Sequence, residues 1–398
     1  MNDPAIRIKR KRLWSVFLNG ARTMITPAIT LLIALLVIRL HSKSLWGEFV
    51  PYLLYFHIAN IITNWGGKDY LLRDFSQNPG NIQNAWQTIF VARVPLLIIS
   101  QLSVFAFFPF LESIYLLLCI GFTYISTSYL PVVNYLRQYS RVILVEFLSF
   151  ITLGIILYMQ REELELKVLL QTYLIYQIVR VTIYSIYYRS FLKNIKWHIQ
   201  LKYLKYASPF FLLAITGFLQ SKFDLYIFKG FSLKTELADY QIISGFLMFL
   251  QGIATILLMP YVRNIYRMKQ KSLVRIASYI GWIGIPLTGI AIFILYFILL
   301  NVFEIKLNTY QLGCIFLTSY PSFLYVVNVF YGFGKNKEKQ VLIVSVISAL
   351  SNGLLSIVFL SLDLNITGVL LAHGIAQLIA LVGFRFLLRN DYTPQENQ

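Results

Sequence analysis

The chain has 398 residues, 58% of them hydrophobic and only 13% charged, about half the ~25% charged fraction of a soluble domain. That composition excludes an ordinary globular core and makes lipid the solvent to reason about. A net charge of +18 would suggest nucleic acid in a soluble protein, so the placement of the cations decides what it means.

A spanning helix needs about 20 mostly apolar residues, and twelve such segments follow one another at 16–38, 46–65, 86–109, 112–133, 141–159, 168–190, 207–229, 239–261, 275–300, 309–331, 339–361 and 365–388. Long helical runs, not alternating strands of about ten residues, exclude an outer-membrane barrel. In the first segment a basic start leads into Thr23–Leu40 and on to His41 and Lys43 without a small-residue cleavage pattern, so a retained helix is expected. The connections are short, which leaves no room for a domain outside the membrane. The basic stretch Lys193–Lys205 falls at the midpoint, so the expected division is an N-terminal bundle at 1–190, a linker at 191–206 and a C-terminal bundle at 207–398.

If the N-terminus is cytoplasmic, 24 of the 35 Lys and Arg fall on inner segments, including Arg7, Lys9, Arg10, Lys11 and Arg12, and 7 on outer ones. The remaining four lie inside spans. This is the positive-inside pattern with both termini cytoplasmic, and it removes any need for a nucleic-acid partner.

Leu111–Tyr135 and Leu307–Val329 read as two copies of one segment, with Tyr115/Tyr310, Leu117/Leu312, Cys119/Cys314, Ile120/Ile315 and Thr123/Thr318 in register. After a one-residue gap the matches continue through Ser128/Ser322, Leu130/Leu324 and Asn134/Asn328. Six helices per half is an even number, so both copies insert in the same orientation, as parallel repeats do in secondary transporters. The expected fold is therefore all-α and polytopic, with about twelve transmembrane helices in two pseudo-symmetric six-helix bundles. Cys119 and Cys314 are read as packing residues rather than a disulfide or metal pair.

The equipment of an enzyme is missing. The histidines at 41, 57, 198 and 373 are dispersed and offer no metal-ligand spacing. Gly332-Phe-Gly334-Lys335 lacks the phosphate-loop spacing, and Gly66-Gly67-Lys68-Asp69 reads as a turn. No catalytic residue, metal or cofactor is expected. Prolines 27, 51, 95, 109, 131, 209, 260, 286 and 321 lie in or at the ends of spans, where they act either as packing kinks or as bendable points.

The informative residues are ionisable groups inside spans, since a charge at the bilayer centre costs at least ~2.5–3.5 kcal/mol. Six qualify: Arg22, Arg93, Glu146, Arg180, Lys222 and Asp224. At ~1.5 Å per residue from the inner helix ends, Glu146 lies about 7 Å deep, Arg22 and Arg93 about 9–10 Å, and Arg180 about 15 Å. Arginine makes forked hydrogen bonds to phosphate and keeps its proton when desolvated, so Arg180, Arg93 and Arg22, with Lys222, are candidate ligands for an anionic, phosphate-bearing substrate. Snorkelling to the inner headgroups is the other reading of Arg22 and Arg93. Asp224 is a candidate ion-coupling group or half of an interhelical ion pair, and Glu146 a counter-ion or a second coupling group. Tyr124 and Tyr129 either stack on sugars or pack the core.

Several short motifs carry a family likeness. Trp46-Gly-Glu-Phe49, Gly67-Lys-Asp-Tyr70-Leu-Leu-Arg73, Ser221-Lys-Phe-Asp224 with Gly230 and Ala238-Asp-Tyr240, Met259-Pro260, Tyr331-Gly-Phe-Gly-Lys335, Ser351-Asn-Gly353 and Ile366-Thr-Gly-Val-Leu-Leu-Ala372 together resemble the O-antigen and exopolysaccharide flippases of the multidrug and oligosaccharidyl-lipid exporter group. The resemblance implies a V-shaped pair of six-helix bundles with a cationic central cavity in the bacterial cytoplasmic (inner) membrane. It implies movement of an undecaprenyl-pyrophosphate-linked oligosaccharide to the outer leaflet by alternating access, with H+ or Na+ as coupling ion and a polysaccharide polymerase as a candidate partner. Asp224 stands where that family often carries an acidic residue. An organic-cation antiporter of the same superfamily is the alternative, and a membrane glycan polymerase or glycosyltransferase the third reading. A cation exporter calls for an acidic cavity, and a glycosyltransferase for catalytic loops outside the membrane.

Overall fold

The computed structural model describes residues 4–231, 234–258, 265, 270–335 and 337–389. Met259-Pro260 and the cations Arg263, Arg267 and Lys269 lie outside the described residues. The chain forms two compact units, 1–215 and 216–398.

Unit 1 contains α1 (Pro4–Leu40), α2 (Lys43–Asn64), α3 (Gly67–Gln77), α4 (Ile82–Ala92), α5 (Val94–Leu102), α6 (Phe110–Ser128), α7 (Leu130–Leu136), α8 (Tyr139–Met159), α9 (Leu166–Tyr187) and the first part of α10 (Lys202–Phe231). Unit 2 takes the rest of α10, then α11 (Lys234–Leu258), α12 (Gln270–Asn301), α13 (Thr309–Ser319), α14 (Pro321–Gly334), α15 (Glu338–Ser361) and α16 (Asn365–Arg389). Among the described residues eleven helices are long and apolar enough to cross a membrane, which makes this a multi-pass, all-α membrane protein. The second expected span, 46–65, is helical as α2 but is not among the eleven, because Glu48, His57, Asn60 and Asn64 dilute its apolarity.

Three expected spans are interrupted. The breaks fall at Arg93 between α4 and α5, at Tyr129 between α6 and α7, and at Tyr320 between α13 and α14. In each case a proline, Pro95, Pro131 or Pro321, occupies the first turn of the following helix, where its missing N–H leaves no intrahelical bond unmade. Pro27, Pro51, Pro209 and Pro286 instead sit inside continuous helices. Two of the breaks fall within the segments that read as copies of one another, so each of those segments bends.

An aromatic stack organises one end of unit 1. The Trp86 ring lies on Phe90 at 4.9 Å and on Tyr129 at 5.3 Å, and Tyr129 continues onto Tyr188 at 5.4 Å. Trp86 Nε1 donates to Ser128 O at 2.6 Å, which satisfies its buried N–H. Nearby, α2 turns into α3 through Trp65 and Gly66, both left-handed at φ 45° and 67°. The start of α10 seats on this elbow: Trp65 Nε1 donates to Leu204 O at 2.9 Å and its ring stacks on Phe211 at 3.9 Å. A Cβ on Gly66 would come within 2.5 Å of Phe211 N. The start of α10 thus packs within unit 1, and the boundary between the two units falls within α10.

In unit 2, α16 packs against α13, α14 and α15. A second core joins Ala254 and Leu258 of α11, Ile280 of α12, and Phe323 and Val327 of α14.

Candidate functional site

Unit 1 encloses a cavity of about 210 Å³ between α1, α2, the α6–α7 break and α9. Its lining mixes aromatic side chains, Trp46, Phe49, Phe56 and Tyr173, with polar ones, Thr26, Thr30, Asn60, Thr127 and Gln177. Among the sixteen lining residues Arg180 is the single Lys, Arg, Asp or Glu. It reaches the wall because α9 presents Tyr173, Tyr176, Gln177 and Arg180 at spacings of three and four residues, one face of a helix.

Arg180 is held from behind. Its Nη2 lies 2.7 Å from Glu146 Oε1 of α8, and Tyr176 OH donates to Glu146 Oε2 at 2.7 Å. Its Nη1 reaches Gln177 Oε1 at 3.5 Å, while Thr123 Oγ1 donates to that same oxygen at 3.0 Å. Arg180 Nε has no hydrogen-bond partner. Glu146 is only 1% exposed and does not line the cavity, so the cavity meets the guanidinium and not its carboxylate.

Tyr184, one turn after Arg180, lies within electrostatic reach of both Arg180 and Arg22, and its hydroxyl has no partner. Arg22 is outside the cavity lining. Its guanidinium sits over the Tyr139 ring at 5.7 Å, and its buried Nε is also without a partner. Next in line is Lys68 at the start of α3. Burial holds its ammonium below the ordinary lysine value, Arg22 pushes it further down, and Asp69 partly opposes both. Lys68, Arg22 and Arg180 thus form a file of cations in unit 1, two of them carrying unused donors.

The structure does not bring Arg93 to the cavity wall. It sits 2% exposed at the α4–α5 break, where its Nε donates to Ile89 O and its Nη1 to Asn64 Oδ1 at 3.2 Å and Asn64 O at 3.3 Å. Its Nη2 donates to Ser128 Oγ at 2.8 Å, and its charge lies over the Tyr124 ring at 5.3 Å. These contacts close the end of α2, whose last carbonyls have no helical partner.

In unit 2, Lys222 and Asp224 do have separate partners. Lys222 Nζ donates to Ser244 Oγ at 3.2 Å. Asp224, 0% exposed, accepts at Oδ1 from Leu225 N at 2.8 Å and at Oδ2 from Tyr240 OH and from His373 Nδ1 at 3.0 Å. On the far side of that ring, Gln251 Nε2 and Gln377 Nε2 lie 3.4 and 3.3 Å from His373 Nε2. Gln251 Nε2 also donates to Thr318 O and Gln377 Oε1 accepts from Tyr325 OH, which orients both amides with N–H towards the imidazole. Nε2 is then the acceptor, and Nδ1 carries the proton shared with Asp224.

Sequence reasoning missed His373, Tyr240 and the two glutamines. A search for metal-ligand spacing passed over His373, although it directly follows the motif ending at Ala372 and stands four residues before Gln377. Among the described residues no group of three His, Cys, Asp or Glu could hold a metal ion.

No family model and no curated protein matches the sequence. Solved structures do match in fold. The chain is similar to the lipid II flippase MurJ in an inward closed conformation, with TM-score 0.69 and 17% identity over 94% of this chain and 87% of that one. It is also similar to an inward-facing multidrug resistance MATE family transporter of the MOP superfamily, with TM-score 0.63, 10% identity, and 94% and 96% of the two chains covered. The MATE multidrug transporter DinF-BH, solved as a complex, gives TM-score 0.64 and 14% identity, with 94% of each chain covered. At these identities the likeness is one of fold, which this chain shares with those solved transporters.

Proposed function

We propose that this protein is a flippase that moves an undecaprenyl-pyrophosphate-linked oligosaccharide across the bacterial cytoplasmic membrane by alternating access, with both termini cytoplasmic. The observation that carries the reading is the charge at the unit 1 cavity: a guanidinium faces it, and the carboxylate that fixes that guanidinium is buried behind it. A pyrophosphate finds there a cation pre-oriented by Glu146, and sugars find aromatic rings interspersed with hydroxyl and amide groups. Lys68 and Arg22 would meet the headgroup before Arg180. An organic cation finds no Asp or Glu among the residues that line this cavity, and Glu146 and Asp224 are 1% and 0% exposed.

For energy input we assign the coupling role to Asp224 and the coupling ion to H+. Both carboxylate oxygens already accept from N–H or O–H donors, an arrangement that suits proton transfer through His373 and leaves no oxygen cage for Na+. A polysaccharide polymerase would then consume the translocated units.

The test is gene deletion followed by analysis of lipid-linked intermediates, complemented with Arg180→Gln together with Glu146→Gln so that no buried charge is left unpaired. Complete repeat units are expected to accumulate on the inner leaflet in the deletion strain, and the double variant, at normal protein level, is expected to restore little export. Full export by that variant, or drug efflux without any glycan phenotype, overturns the reading.

A further inference from the structure

A second cavity, in unit 2, is lined by none of the residues of the Asp224 network. It is an open groove of about 450 Å³ between α12, the α13–α14 break and α16, within the ~300–1,000 Å³ range of ligand sites. Its floor exists because side chains are missing. A Cβ on Gly281 would come within 2.7 Å of Leu324 Cδ2, and one on Gly284 within 2.7 Å of Phe323 Cβ, so α12 and α14 meet closely and leave a channel above the contact. Trp282, 72% exposed, and Ile285 form the outer rim, and both belong to a helix long and apolar enough to span a membrane.

The charge of the groove lies at one end. Val274 near the start of α12, Asn328 towards the end of α14 and Arg385 near the end of α16 all line it, so these three helix ends mark the same side. Arg385 has no carboxylate partner among the described residues. An apolar channel of lipid-facing rim residues that ends at a cation at a span terminus has the polarity of one phospholipid: tail along the channel, phosphate at the arginine. A zwitterionic headgroup gains less from that cation than an anionic one, because its ammonium offsets the phosphate, and a free phosphate gains nothing from the channel.

We propose that this groove binds an anionic membrane phospholipid, with its phosphate on Arg385 and one acyl chain lying over Gly281 between Trp282 and Leu324. The site is independent of the transport reading, since neither Arg385 nor Trp282 belongs to the cavity of unit 1 or to the Asp224 network.

The experiment uses the full chain in phosphatidylcholine nanodiscs titrated with brominated phosphatidylglycerol or brominated phosphatidylcholine, read by tryptophan quenching. The chain has six tryptophans, so a Trp282→Phe variant isolates the groove signal by difference. One cation near the surface is worth ~1 kcal/mol towards an anionic lipid, or about fivefold. Brominated phosphatidylglycerol is therefore expected to half-quench Trp282 at about one-fifth of the mole fraction needed for phosphatidylcholine. Arg385→Gln should make the two lipids equal, and Arg385→Lys should keep most of the preference. Equal quenching in the unsubstituted protein, a preference that survives Arg385→Gln, or a Trp282 shielded from both lipids by a second copy of the chain would each overturn the proposal.

Discussion

Three arginines inside spans, Arg22, Arg93 and Arg180, have different surroundings, and stability should separate them. Arg93 spends its donors on Ile89 O, Asn64 and Ser128 Oγ, and hydrogen bonds to a charged group contribute ~1.5–3 kcal/mol each. Arg93→Ala is expected to lower the thermal midpoint of the detergent-solubilised protein by many degrees and to reduce its yield. Arg22→Ala removes a side chain with an unused Nε, so the midpoint should move little while glycan export falls. Scanning fluorimetry beside an export assay checks both, and equal destabilisation by the two variants would contradict the distinction. Arg180→Ala differs again, because it strands Glu146 in a buried site, a loss of ~3–5 kcal/mol that adding Glu146→Gln should largely recover.

At the scale of elements, the elbow between α2 and α3 and the breaks before proline are the places where helix geometry is fixed by packing. Gly66 at φ 67° faces the Phe211 backbone at 2.5 Å in the position of a Cβ. Gly66→Ala should therefore cost the ~1–3 kcal/mol of a strained left-handed residue plus a clash that backbone cannot relieve. The expected readout is a lower unfolding midpoint and faster proteolysis in the 191–201 stretch that leads into α10. At the α6–α7 break, Tyr129 is locked between Trp86 and Tyr188, so the stack and not the proline maintains the bend. Pro131→Ala should then leave export within about twofold of normal, whereas a bend needed for motion would predict a deep loss. Elements of this kind were only partly legible in the sequence. Apolar run length marked the spans, but the prolines did not show which of them stand at breaks, since Pro95, Pro131 and Pro321 do and Pro27, Pro51, Pro209 and Pro286 sit inside continuous helices. The seat of α10 was hidden, because the basic composition of Lys193–Lys205 reads as a linker while the contacts that hold α10 come from Trp65 and Gly66, more than a hundred residues earlier.

At the scale of the molecule, duplication supplies the frame and the buried charges make the halves unequal. Unit 1 presents an arginine to a cavity; unit 2 buries a carboxylate under a tyrosine, a histidine and two glutamines. The charges were legible because an ionisable residue in an apolar run stands out by its type. Their partners were not, because Glu146 and Arg180 lie 34 residues apart in the sequence and Asp224 and His373 149 apart, and pairing across helices leaves no local pattern. The asymmetry leads to a kinetic expectation. If the unit 1 cation binds the headgroup and the Asp224–His373 pair passes the proton, the two sites fail differently. Arg180→Gln with Glu146→Gln should raise the substrate concentration needed for half-maximal flipping in proteoliposomes and keep the response to a pH gradient. Asp224→Asn and His373→Gln should leave substrate affinity nearly unchanged, since neither side chain touches the unit 1 cavity, and should abolish that response. Residual flipping in those two variants should be the same with and without the gradient. A gradient response that persists in His373→Gln would assign the proton path elsewhere, and a loss of affinity in Asp224→Asn would mean that the carboxylate shapes the binding site itself.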